Sequence, residues 1–378
     1  MTGKKPTFSA LERPDQSTGR PRGPLLWIFA GLILVGLAGF LGGIIMLVPL
    51  FTRAGIPDVP EPQAAPVPAD PVVKSGDLDG RMAASAAMQQ REDYAGALLA
   101  YAGLRRDFPD NRQPGERMEM IAALLRSNGF SMTPKKFAAL RPALEQAAAG
   151  GVVSAQMLLG EQLRDTAPSD SLRHFKDAAR SGQTEAMTQA GLMLSNGLGT
   201  SAPDLRLAVG WFERASAEGD ADAMTALAEC LIHGKGIQKN TPRAVELLQR
   251  ASALHQPLAL NLLGDLYARG IGVPQNFQEA YELFSRSAAQ GFGDGIANLG
   301  ALTMRGEGTP ANPSKAIAIW KAGIDRGFAS CMVNYAKALE SGQGITPDPS
   351  LARHWYVLAA RGGNGEAIQW CREHKMTY

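Results

Sequence analysis

The residues whose types and spacing most suggest chemistry in this chain are five Gly-x-Gly pairs: Gly197/Gly199, Gly234/Gly236, Gly270/Gly272, Gly306/Gly308 and Gly342/Gly344. A glycine loop that follows a strand and opens a helix cradles phosphate, because its backbone N–H groups point at the anion. Here each pair follows a stretch with apolar residues at helical spacing, and the pair recurs five times. Turn geometry accounts for the glycines, and phosphate binding does not follow. The other chemistry-bearing types are sparse. Cys230, Cys331 and Cys371 are too scattered for a disulfide ladder. His174, His233, His255, His354 and His374 have no metal-ligand spacing with carboxylates or cysteines, and no serine sits in a nucleophile elbow. The expectation is a protein that is not an enzyme and holds no metal or cofactor. A formal net charge of +2 also lacks the concentrated basic face that nucleic-acid binding requires.

The elements that position these residues come from a period. The glycine pairs recur every 36 residues after a first interval of 37, and Ala208, Ala244, Ala280, Ala316 and Ala352 keep the same beat. Self-similarity at this length marks a solenoid, whose units bury their apolar faces only against neighbours. In the unit from Ala259 to Gly291, Leu260, Leu263, Leu266 and Tyr267 form one face of a first helix. Gly270 ends it as a left-handed cap, and Gly272 with Pro274 makes the turn. A second helix carries Ala280, Leu283, Phe284 and Ala288 inward. Its apolar pair recurs as Trp211/Phe212, Leu247/Leu248, Leu283/Phe284, Ile319/Trp320 and Trp355/Tyr356.

Gly264, inside the first helix, costs about 1 kcal/mol relative to alanine. Its equivalents Gly191, Ala228, Gly300 and Ala336 are always small, so the column admits a close second helix. Gly219, Gly291, Gly327 and Gly363 close the second helices, with His255 substituting once. Cys230 occupies the inward column of Met193, Leu266 and Leu302, and Cys331 the small column of Ala186, Ala223 and Ala259. Both read as packing residues. Cys371, near the C-terminus, is the candidate reactive thiol.

The pattern Ala-x-x-x-Leu-Gly-x-x-Tyr-x-x-Gly-x-Gly-Val, then an alanine, an apolar pair and Ala-Ala-x-x-Gly, resembles the Sel-one-like repeat (SLR), a relative of the tetratricopeptide repeats. The likeness extends from Ala147 to Cys371. The unit from Ala147 to Gly182 keeps Leu159, Gly160 and Phe175 but lacks the Gly-x-Gly turn, and Glu366 to Cys371 begins a terminal cap. The resemblance implies an all-α, right-handed solenoid of helix–turn–helix repeats serving as an interaction scaffold, commonly in bacterial envelopes or protein quality control. Some members carry a disulfide in every repeat; this chain departs from that, so its stability must come from packing.

Ahead of the repeats, the uncharged run from Leu25 to Phe51 exceeds the about 20 residues a helix needs to cross a bilayer. A cleaved signal peptide would have a shorter apolar core, about 7–15 residues. Lys4, Lys5, Arg13, Arg20 and Arg22 precede the run and only Arg53 closely follows it, which keeps the N-terminus cytoplasmic by the positive-inside rule. The repeats then lie outside the cytoplasm; the resemblance, through the family's envelope members, implies a bacterium, with the anchor in its inner membrane and the repeats in the periplasm. Pro57, Pro60, Pro62, Pro66, Pro68 and Pro71 read as a semi-rigid spacer of about 3.1 Å per residue. The resulting organisation is a basic tail (1–23), a transmembrane helix (24–52), a proline-rich linker (53–77), a tetratricopeptide-like helical region (78–146) and the repeats with their cap (147–378).

In tetratricopeptide-like solenoids the first helices line the concave face. The resemblance therefore places binding beside the Leu-Gly pair, in the columns Thr188, Thr225, Asn261, Ala297, Val333; Leu192, Glu229, Asp265, Ala301, Lys337; and Asn196, His233, Arg269, Arg305, Ser341. Glu229, Asn261, Asp265, Arg269, Arg305 and Lys337 are the candidate partner-binding residues, holding an extended peptide or an envelope protein. The other reading of these columns is an ordinary solvated helix face. The functional expectation is a membrane-anchored protein–protein scaffold. The alternative is an accessory subunit of a polysaccharide- or peptidoglycan-processing complex, disfavoured because Trp211, Trp320 and Trp355 fall in core columns. Gly39 and Gly43 have the Gly-x-x-x-Gly spacing that permits close helix contact in a membrane, so a homodimer through this face is one reading; the other is the general frequency of glycine in membrane helices. If the face dimerises, replacing both glycines by Ile lowers the signal of a membrane-dimerisation reporter, and an unchanged signal ends the idea.

Overall fold

In the five units that keep the 36-residue period, each second helix begins at a residue able to accept a backbone N–H with its side chain, and that choice organises the hairpin. The computed structural model describes residues 77–127 and 132–378. Asp204, Asn240, Asn276, Asn312 and Asp348 keep the 36-residue period and occupy the N-caps of α8 (Leu205–Ala217), α10 (Thr241–Ala253), α12 (Phe277–Ala289), α14 (Pro313–Asp325) and α16 (Pro349–Arg361). Each side chain accepts the N–H three residues on, at 2.9–3.1 Å, a capping bond of about 1 kcal/mol. The same five residues donate their own N–H to a carbonyl near the end of the preceding first helix, for example Asn276 to Tyr267 at 2.9 Å. One short polar residue thus starts the second helix and staples the turn to the first.

The first helices are α7 (Thr184–Ser195), α9 (Ala221–His233), α11 (Pro257–Arg269), α13 (Gly293–Arg305) and α15 (Ala329–Ser341). The two glycines of each turn do different work. Gly270 has φ +67 and caps α11 in the left-handed region. Gly272 lies against Thr241 and Val245 of the preceding second helix, where a Cβ would meet the Thr241 methyl at 2.5 Å.

Where the small column holds glycine it faces a ring. A Cβ on Gly191 would lie 2.5 Å from Phe212, and one on Gly264 would lie 2.8 Å from Phe284. On Gly300 it would strike Trp320. Where the column holds Ala228 the partner position is Leu248, a smaller side chain that is also fully buried. Along the second helix, Ala280, Leu283 and Phe284 are buried as their spacing predicts; Ala288 is only half-buried, and Ser287 takes the inner place, donating to the Pro257 carbonyl at 2.8 Å. The helix crossing brings position 287, not 288, against the start of α11.

Upstream, α5 (Val153–Leu163) and α6 (Pro168–Arg180) form the same kind of hairpin on a shorter turn. A Cβ on Gly160 would lie 2.8 Å from Phe175, so the unit without Gly-x-Gly still keeps the small-against-ring contact. Before it run α1 (Leu78–Gln90), α2 (Tyr94–Asp107), α3 (Gln113–Arg126) and α4 (Pro134–Ala149). Their core residues, including Tyr101, Met118, Ile121 and Leu144, merge with Leu158, Leu159 and Leu163 of α5 in one apolar cluster. At the other end α17 (Gly365–Glu373) covers the last hairpin, burying Ala367 and Cys371. The described residues contain no strand and belong to a single compact unit. Among them no helix is long and apolar enough to cross a membrane. The expected tail, the span from Leu25 to Phe51 and the proline linker lie outside the described residues.

Gly264→Ala gains about 1 kcal/mol of helix propensity but overpacks the Phe284 contact, which costs about 1–3 kcal/mol. The expected net effect is destabilisation in chemical denaturation. Adding Phe284→Leu, which recreates the Ala228/Leu248 pairing of the preceding hairpin, is expected to leave the double variant more stable than the two single effects added. A stabilised Gly264→Ala protein would count against the contact.

Candidate functional site

The candidate residues sit on the stripe of the first helices that the second helices do not cover. In α7 this stripe carries exposed Leu192 and Asn196, in α9 half-buried Glu229 and exposed His233, and in α13 half-buried Ala301 and exposed Arg305. In α11 it closes over. Asn261 and Asp265, expected on an open groove, are 1% and 0% exposed. The whole first column is buried with them: Thr188, Thr225, Ala297 and Val333. Neighbouring first helices approach closely enough to hydrogen-bond there, Asn298 Nδ2 donating to Asn261 Oδ1 at 3.0 Å and Asn334 Nδ2 to the Ala297 carbonyl at 3.2 Å. Stacking, invisible in any one repeat, turns this column from rim to floor.

The cations of the set have partners inside the chain. Arg269 Nη1 meets Asp265 Oδ2 at 3.2 Å, Arg305 Nη2 meets Glu307 at 2.7 Å, and Lys337 Nζ reaches Glu366 of α17 at 2.5 Å. The last two pairs are partly exposed, where an ion pair contributes about 0–1 kcal/mol. Asp265 differs. Burial pushes its carboxyl above the usual carboxylate range, the Arg269 guanidinium pulls the other way, and Oδ1 has no hydrogen-bond partner.

A second charged feature on this face escaped the repeat columns. Arg126 of α3 reaches Glu161 of α5 and Glu185 of α7, each at 2.7 Å. Glu161 occupies the column of Glu229 and Asp265, and burial raises its carboxyl while Arg126 opposes the rise. The triad ties the tetratricopeptide-like region to the first two hairpins. Its members are 35 and 59 residues apart in sequence, so periodicity gave no signal for it.

The remaining candidates fall in the packing. Cys230 and Cys331 are buried as their columns imply, with thiols pushed by burial to about 11 and about 12. Cys371, whose reactivity the sequence leaves open, is fully buried on the inner face of α17, and burial raises its thiol too. Position near a chain end did not make it accessible. His174 is buried with its pKa lowered by burial, and Nε2 lies 3.2 Å from Arg173 Nη2, the arrangement of a neutral ring accepting a bond. His255 stands at φ +60 where the other units have glycine. Trp211 and Trp320 are core residues and Trp355 is half-buried, so they offer no open aromatic platform. Among the described residues no cluster of three His, Cys, Asp or Glu could hold a metal ion.

Known proteins share these units. The Sel1 repeat family matches residues 184–220, 221–255, 257–292, 293–328 and 329–364; the shorter-turn hairpin of α5 and α6 lies outside that match. The crystal structure of a Sel1 repeat protein from Oxalobacter formigenes is 26% identical at a TM-score of 0.50, covering 56% of this chain and 85% of that one. That of c5321, a protective antigen of uropathogenic Escherichia coli with an SLR fold, superposes at a TM-score of 0.55 with 19% identity, over 75% of this chain and 57% of its own, a likeness of fold alone. A Neisseria meningitidis protein, NMB1327, is 35% identical over 116 residues, 29% of this chain, and the chain spans 23% of that protein's length.

A buried acid with a raised pKa stabilises the fold below its unfolded pKa, and that stability is lost as pH rises through the folded value. Asp265→Asn is therefore expected to match or exceed the wild-type melting temperature at pH 7. The advantage should fade as pH falls through the carboxylate range. A variant melting well below wild type at pH 7 would show that the Arg269 pair outweighs desolvation.

Proposed function

We propose, from the premise that residues 184–364 are five Sel1 repeats stacked as hairpins, that this protein is a membrane-anchored scaffold whose repeats bind other proteins outside the cytoplasm. The stacking of the first helices supports this reading most directly: one side-chain stripe continues from helix to helix, tied by Asn298–Asn261 and Asn334–Ala297. Such a surface is long, rigid and periodic, the form suited to an extended guest. Partner exchange at its margin costs little because Arg305 and Lys337 are held by partly exposed ion pairs.

The anchor rests on the uncharged run from Leu25 to Phe51 and its basic flank. A spacer of up to roughly 45 Å from Pro57 to Pro71 would carry the repeats clear of the membrane. Binding of glycan by an accessory subunit has weaker support, since Trp211 and Trp320 are committed to the core.

The full chain in bacterial membranes is expected to resist extraction by alkaline carbonate, and its repeats to be cleaved by protease added from the periplasmic side. Crosslinking in those membranes is expected to capture a defined protein partner, lost when residues 184–364 are deleted. A chain released by carbonate would sink the anchor. Capture that survives the deletion would sink the scaffold.

A further inference from the structure

Seven buried side-chain polar atoms lack a hydrogen-bond partner among the described residues, and Asp265 Oδ1 is the only carboxylate oxygen of the seven. A buried charged acceptor left unsatisfied carries a heavy desolvation cost. Hairpin stacking does not require that cost, because the equivalent positions are Leu192, Glu229, Ala301 and Lys337 in units that stack alike. Asp265 lies on the first-helix stripe that supplies the exposed residues of the neighbouring repeats. Its Oδ2 is held by Arg269, the last residue of α11, whose side chain is 36% exposed. Asn261, one turn earlier, accepts from Asn298 through its Oδ1, and its Nδ2 does not donate to Asp265 Oδ1.

We propose that Asp265 is the recognition point for a Lys or Arg side chain of an extended partner segment lying on this face, and that Arg269 occupies the place of that cation in the free protein. The inference rests on the scaffold reading and supplies the partner's chemistry. An incoming ammonium or guanidinium displaces Arg269 into solvent and gives Oδ1 the donor it lacks. Charge complementarity selects a basic guest over an acidic one. Arg269, Arg305 and Lys337 are each matched by a carboxylate of this chain, whereas Asp265 keeps one oxygen, Oδ1, without a donor.

The full chain should be challenged with a displayed library of random dodecapeptides. Binders selected by the wild type are expected to share Lys or Arg at one fixed position, and norleucine there should weaken binding at least about tenfold. Asp265→Asn should lose the same factor with an unchanged or raised melting temperature. Arg269→Gln, which keeps the carboxylate, should bind several-fold more tightly and serves as the test if the Asn variant fails to fold. Binders without a fixed cation, equal affinity for Asp265→Asn, or weaker binding by Arg269→Gln would each overturn the inference while leaving the scaffold reading intact. Failure of the wild type to capture any protein in membranes is the separate result that would sink that reading.

Discussion

A ring set against a missing side chain holds this solenoid together. Gly160, Gly191, Gly264 and Gly300 give up a Cβ so that Phe175, Phe212, Phe284 and Trp320 can lie on the backbone of the facing helix. Full burial of such a side chain contributes about 1.5–3 kcal/mol relative to exposure, more than the about 1 kcal/mol that glycine costs a helix. Where the partner is Leu248 the column accommodates Ala228. Each hairpin closes to a similar spacing, which is what allows the next one to stack on it.

The turn propagates that regularity. Its first glycine reverses the chain in the left-handed region, and its second allows the backbone to approach the preceding hairpin. The capping Asp or Asn then begins the second helix while bonding back to the first. These interactions join neighbours only, so stability accumulates repeat by repeat. At the ends the period is released: α17 seals the last unit, and α5 shares a core with the helices before it.

Function follows from what stacking leaves over. The second helices spend their apolar faces on the core, while the first helices retain one stripe beyond it. Along that stripe the chain satisfies most of its own charges, at Arg126, Arg305 and Lys337. A self-satisfied surface resists indiscriminate adhesion and leaves specificity to the few groups that stay unbalanced. In the proposed reading Asp265 is one of these through Oδ1, since a lone desolvated oxygen discriminates between a donor and its absence more sharply than an exposed ion pair does.

Within the repeats the sequence acts as its own alignment. The period, the small column, the cap glycines with His255 among them, and the terminal cap were all legible because five copies repeat the same local constraint. The Asp/Asn capping column carries the same beat and was equally open to reading. What the sequence alone determined is therefore each hairpin and most of its inward residues, Ala288 excepted, since helix spacing, capping and the small-against-ring contact operate within one unit. Tertiary structure alone decided which outward residues remained outward. It buried Asn261 and Asp265, covered Cys371 and joined Arg126 to Glu161 and Glu185. Exposure at those positions is a property of neighbouring helices brought together by stacking, and no single repeat contains that distance.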